Sequence, residues 1–174
     1  MTSTRPPAGA GCLSPAPGAT IERMATVNLQ QELEALAAAF EGRGVPYALC
    51  GGLALAVHGH PRATKDVDFL IAGEDVERAK DAARTLGFVL AAAPMTFASG
   101  VEVHRVSKVA EGAILMLDLI VVGEALRSAW SSRQRVPTRA GGLWVVSREG
   151  LIAMKVAASR PQDLLDIQKL GEQP

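Results

Sequence analysis

The sequence predicts an α/β (α+β) fold, a mixed β-sheet flanked by helices, and three observations lead there. Amphipathic segments of helical period alternate with short apolar runs along the chain. One run, ILMLDLIVV (114–122), is apolar at every position but Asp118, the pattern of a strand buried on both faces. The length of 174 residues suits one domain with a real core rather than two.

Each element has its own signal. Residues 1–23, rich in Pro, Gly, Ala, Ser and Thr, read as a disordered leader, with Met24 as the functional start and 24–174 as the single domain. A helix is expected over 28–42: Asn28 is a good N-cap, Leu29, Leu33, Leu36 and Phe40 share a face, and Gly42, Gly44 and Pro46 end it. YALC (47–50) reads as a buried strand, Gly51-Gly52 as a break, and LALAVHG (53–59) as a short helix. Residues 61–65 form a loop and DVDFLIA (66–72) a strand. EDVERAKDAARTLG (74–87) is an amphipathic helix closed by Gly87. FVLA (88–91) and VEVHRVS (101–107) are strands, the second with period-two alternation. After the 114–122 strand come a short helix (123–131), a strand (141–147) and two helices, 148–158 and 161–170, the last opened by Pro161.

Composition narrows the function. Lys+Arg and Asp+Glu number 18 each, so the formal charge is zero, which argues against a protein whose main task is to hold nucleic acid electrostatically. Aromatics make up 4%, too few for an extended base-stacking platform. Cys12 and Cys50 give no disulfide framework, no apolar run reaches the roughly 20 residues that span a bilayer, and no signal peptide is visible, so a cytoplasmic, reduced setting is expected.

The chemistry concentrates in Gly51-Gly52 … Arg62-Ala63-Thr64-Lys65-Asp66-Val67-Asp68. Strand side chains alternate faces, so Asp66 and Asp68 point the same way. Adjacent carboxylates repel, and a cation between them relieves the repulsion; hard oxygen donors suit magnesium, with manganese as a substitute. Glycines at a strand-to-helix turn let backbone approach a phosphate closely. Asp118, a lone acid in an apolar strand, needs a partner and joins the site as ligand or general base if its strand lies beside 66–71. Arg62 and Lys65 flank the acids as triphosphate or acceptor contacts, or as ordinary loop charges. His58, His60 and His104 lack a zinc-type spacing and are read as structural or surface residues. Arg127, Arg133, Arg135 and Arg139 form a basic cluster read as a solvated loop, with a nucleotide or RNA contact as the alternative.

Gly-Gly followed by Arg-x-Thr-x-Asp-x-Asp resembles the signature of the nucleotidyltransferase superfamily. GGLALAVHGHPRATKDVDFL is most similar to the bacterial abortive-infection-type nucleotidyltransferases, which include toxins of toxin–antitoxin pairs; VVSREGLIAMKVAASRPQDLLDIQKL resembles that group as well. The resemblance runs over roughly 30–171. It implies a nucleotidyltransferase fold and magnesium-dependent transfer of NMP from an NTP, ATP among them, to a hydroxyl acceptor with release of pyrophosphate. By the same resemblance Gly51 and Gly52 cradle the β,γ-phosphates, Asp66, Asp68 and Asp118 hold metal and catalyse, Lys155 reaches the triphosphate, and Asp163 or Asp166 matters on the last helix. Asp163 and Asp166 read equally as surface partners of Arg160 or Lys169. The implied acceptor is tRNA or protein, with an antitoxin as protein partner; the alternatives are a small molecule such as an antibiotic, or a silent nucleotide-binding module. Gly52 departs from the family's serine-like residue there, and the sequence stops at Pro174 without a larger helical domain to grip an acceptor.

Overall fold

The computed structural model describes residues 28–110, 112–138 and 141–171; the leader expected over 1–23 lies outside them. Helix α1 (Leu29–Gly42) is capped by the Asn28 side chain, which accepts from the Gln31 N–H, and it buries Leu33, Leu36, Ala37 and Phe40. Strand β1 (Tyr47–Cys50) is buried throughout. It runs directly into α2 (Gly51–Val57), so Gly51-Gly52 is the first turn of that helix and not a break before it. Strand β2 (Asp66–Ile71) follows the loop. A single 3-10 turn precedes α3 (Val76–Arg84), which is shorter than its sequence periodicity suggests.

Two short pairings, β3 (Leu90–Ala91) and β4 (Met95–Thr96), lie against β5 (Glu102–Ala110). Strand β5 turns into β6 (Ala113–Val121), and the hairpin ladder continues to Ala110 opposite Ala113, which carries β5 past the expected end at 107. Helix α4 (Arg127–Ser131) leads to an edge strand, β7 (Gln134–Thr138), where a loop was expected. Pro137 is tolerated there because an edge strand need not donate every N–H. Strand β8 (Gly141–Val145), α5 (Arg148–Ala158) and α6 (Pro161–Gly171) complete the chain.

Among the described residues the strands form one mixed sheet in the order β3-β5-β6-β2-β1-β8-β7, with β4 on β5. The β2–β6 and β1–β8 pairs are parallel and the rest antiparallel. The two faces of the central strands differ in chemistry. Val67 and Phe69 of β2, Leu117 and Leu119 of β6, and Tyr47 and Leu49 of β1 are almost wholly buried. Against them Phe40 of α1 sets its ring edge-on to Phe69 with centroids 5.2 Å apart, and Tyr47 does the same at 5.2 Å. Burying each such side chain contributes about 1.5–3 kcal/mol, so this face fixes the register of β2 against β6. With the register fixed, the alternate residues Asp66, Asp68 and Asp118 are committed to the opposite face.

Candidate active site

The β2–β6 register places Asp68 directly across from Asp118, and Asp66 lies two residues along on the same face. The hairpin places Arg105 across from Asp118 on its other side. A row Arg105–Asp118–Asp68 therefore crosses three strands, and β1 extends it with Cys50 opposite Asp68. The row forms the floor of a cleft of about 750 Å³ that also takes in Gly51, Gly52, Arg62, Thr64, Lys155 and Arg160. Met95, Phe97, Val101 and Val103 of the β4–β5 arm add an apolar wall.

Burial, with the nearby charges of Asp118 and Asp66, pushes the Asp68 carboxyl up to about 7. The Gly52 N–H donates to this carboxylate and partly opposes the rise, as does the positive Arg160. Asp118 is nearly buried and its carboxylate is gripped on both oxygens: Arg105 Nε donates to Oδ1 and Nη2 to Oδ2, each at 2.7 Å. The pair raises the guanidinium above its ordinary range.

Glycine is required at the turn. Gly51 has φ +64, and a Cβ there would stand 1.9 Å from Asp68 Oδ2; a Cβ on Gly52 would stand 2.9 Å from Thr64 Oγ1. Gly51→Ala is expected to cost about 2 kcal/mol through left-handed strain and to displace Asp68. Chemical denaturation measures this, and an unchanged midpoint would show that the turn relaxes freely.

Lys155 is buried, with Nζ 2.6 Å from Asp166 Oδ2 and 3.3 Å from Asp163 Oδ1. Asp163 and Asp166 are themselves buried, at 1% and 0% exposure, and are not the surface charges that the sequence allowed. Arg160 Nε donates to Asp163 Oδ2 at 2.7 Å, and Arg62 Nε lies 3.3 Å from Asp166 Oδ2. That last contact is an ion pair without hydrogen-bond alignment, so the buried Arg62 Nε–H has no bonded acceptor. Burial raises both carboxyls, but the bonds and charges of Arg160 and Lys155 outweigh it for Asp163, as those of Lys155, Gln162 and Arg62 do for Asp166. Both end below the ordinary range. Ser147 caps α5 and Ser159, at φ 51, turns the chain into α6, which brings Lys155 onto Asp163 and Asp166.

Of the residues singled out in the sequence, the structure gathers Gly51, Gly52, Arg62, Asp66, Asp68, Asp118 and Lys155 around one cleft. Lys65 is exposed and is not among the residues lining it. His58 Nε2 lies 2.9 Å from the Val146 carbonyl, and His104 pairs with Glu102. Arg127 pairs with Glu124, Arg133 lies 3.9 Å from the Trp130 ring centre, and Arg135 lies 3.5 Å from Glu41; Arg139 is outside the described residues. Arg105 was missed by the sequence reading, and Arg160 was read only as a surface partner of the α6 acids. Arg160 sits in the Arg-x-x-Asp-x-x-Asp stretch, whereas nothing local marks Arg105.

The donor chemistry of Asp66 and Asp68 fits a divalent cation: two hard carboxylates share a face, and burial, with the charges of Asp118 and Asp66, holds the Asp68 carboxyl up near 7. Asp118 is taken by Arg105, and among the described residues no three His, Cys, Asp or Glu side chains stand ready as a metal-binding group. No helix among them is long and apolar enough to cross a membrane.

Residues 33–174 match the family model described as nucleotidyl transferase AbiEii toxin, type IV TA system. No curated protein matches the sequence. A Thermotoga maritima protein assigned to the nucleotidyltransferases superposes with TM-score 0.59 at 15% identity, over 83% of this chain and 94% of that one. The lincosamide antibiotic adenylyltransferase LnuA, lincomycin-bound, gives TM-score 0.56 at 14% identity, over 82% and 96%. ANT(2")-Ia in complex with adenylyl-2"-tobramycin gives 0.55 at 17%, over 81% and 87%. At such identities the likeness shows the fold alone, and that fold is the mixed sheet flanked by helices that the sequence predicts.

Proposed function

The chain belongs to the nucleotidyl transferase AbiEii toxin family of type IV toxin–antitoxin systems, and from that membership we propose a cation-dependent transfer of NMP from an NTP to a hydroxyl acceptor. The observation that supports the reading is the row of acids itself: Asp66, Asp68 and Asp118 share one sheet face beneath a cleft rimmed by Arg62, Lys155 and Arg160. Acids to hold a cation, with cations beside them to receive an anion, are the complementary halves of a site for a metal–triphosphate.

In the proposed reaction the acceptor oxygen attacks the α-phosphorus, the new O–P bond forms as the bond to the bridging oxygen breaks, and pyrophosphate leaves. Asp66 and Asp68 would hold the cation, magnesium or manganese. When bound, such a cation offsets phosphate charge and lowers the cost of charge on the attacking oxygen. Asp118 takes the hydroxyl proton, and so must be free of a strong donor at that moment. Arg62, Arg160 and Lys155, which line the cleft, would supply positive charge to the triphosphate. Gly51 and Gly52, whose missing Cβ atoms make room for Asp68 and Thr64, would set the start of α2 beside the β- and γ-phosphates. The acceptor proposed is a tRNA or protein hydroxyl in the cytoplasm, with an antitoxin as the regulating partner.

Incubation of the purified chain with magnesium, each α-labelled NTP in turn, and separate pools of tRNA, protein and aminoglycoside or lincosamide tests this. Label in tRNA or protein is the expected result. Label only in the antibiotic pool would replace the toxin setting with small-molecule modification. Magnesium-dependent NTP binding with no label in any pool would favour a silent nucleotide-binding module.

A further inference from the structure

The cleft cations divide into two kinds. Arg62, Lys155 and Arg160 are balanced by Asp163 and Asp166 of α6, away from the row of acids. Arg105 is balanced by Asp118, a member of the row. Both oxygens of that carboxylate are used, and the pairing is built in by register, since Arg105 stands directly across from Asp118 in the β5–β6 ladder. A bidentate guanidinium is the strongest neutral-pH partner a carboxylate can have short of a metal ion. The Arg105 side chain is itself 34% exposed toward the cleft, so it has room to leave.

We propose that Arg105 is the resident counter-ion of Asp118: the guanidinium and a divalent cation compete for this carboxylate, and the third acid joins the other two only when Arg105 lets go. The inference rests on the cation-dependent reading of the site. It gives a physical reason for a basic residue in a row otherwise built to attract cations.

The test is a titration of the full chain with manganese alone, following free Mn2+ by electron paramagnetic resonance. Arg105→Gln and Arg105→Lys are both measured; Arg105→Lys keeps the charge and removes the fork, so Asp118 is not left buried without a cation. Both are expected to bind Mn2+ about ten-fold more tightly than wild type. In an Asp118→Asn background Arg105→Lys is expected to change nothing. Equal affinity of wild type and Arg105→Lys overturns the inference. So does a gain that persists with Asp118→Asn, which would make Arg105 a distant charge and not a competitor. Asp68→Asn separates the two levels: loss of Mn2+ binding there, with no effect of Arg105→Lys, overturns the counter-ion alone, whereas undiminished binding in Asp68→Asn overturns the cation site and the inference with it.

Discussion

Asp68→Asn is expected to abolish transfer, by about 10³-fold or more, and at the same time to make the free protein more stable above pH 7. The two effects have one cause. Burial and the neighbouring acids hold the Asp68 carboxyl up near 7, against an ordinary value of 3.8. Between those values the folded chain keeps a proton that the unfolded chain has released, so stability falls as pH rises from about 4 to 7 and the full penalty stands above 7. Asparagine carries no charge and removes the penalty, for a gain of about 2 kcal/mol at pH 8, less than the whole shift because a charged buried site relaxes and admits water. At pH 4 the gain vanishes. Thermal unfolding of both proteins across pH 4–8 measures it; a loss of stability at pH 8 would mean that Asp68 is held by favourable contacts and is not frustrated. Added magnesium is expected to raise the melting temperature of wild type at pH 8 and to leave Asp68→Asn unmoved.

Lys155→Met carries the second large expected effect, in the opposite direction. Lys155 bridges two buried carboxylates, Asp163 and Asp166, which are also met by Arg160, Arg62 and Gln162. Removing one partner from a buried ion network leaves charge uncompensated and costs about 3–5 kcal/mol, or roughly 6–20 °C in melting temperature for a chain of this size. Both acids sit below their ordinary range, so the stability they contribute is present above about pH 4 and is lost as pH falls below it. Urea unfolding at pH 7 gives the cost, and a loss under 1 kcal/mol would show that Arg62 and Arg160 suffice. Transfer is expected to fall as well, since Lys155 and Arg160 both line the cleft.

How much of this was legible before any coordinates follows from the range of each signal. Asp66 and Asp68 announce themselves by period two within one strand, and Asp118 by its isolation in an apolar run; these signals are local, and the structure brings all three to one face. The row they form with Arg105 is a matter of register between β5 and β6, which no local pattern encodes. Helix α6 misled for a different reason. Its buried stripe is Asp163, Asp166 and Leu170, while Leu164 and Leu165 are exposed at 64% and 55%. A helix whose acids face inward inverts the usual amphipathic rule, and the clue was the buried lysine on α5 that needed them. Strand β7 was hidden by Arg135 and Pro137, which suit an exposed edge as well as a loop. Gly51-Gly52, read as a break, instead opens α2, because the left-handed Gly51 lets β1 turn straight into the helix.

The most direct test of the central claim uses one NTP labelled either at the α- or at the γ-phosphorus, with the acceptor pool that accepts label and with wild type and Asp66→Asn side by side. The expected result is transfer of the α-label alone, with pyrophosphate released in equal amount and no transfer by Asp66→Asn. Transfer of the γ-label, or α-label transferred equally well by Asp66→Asn, would contradict it.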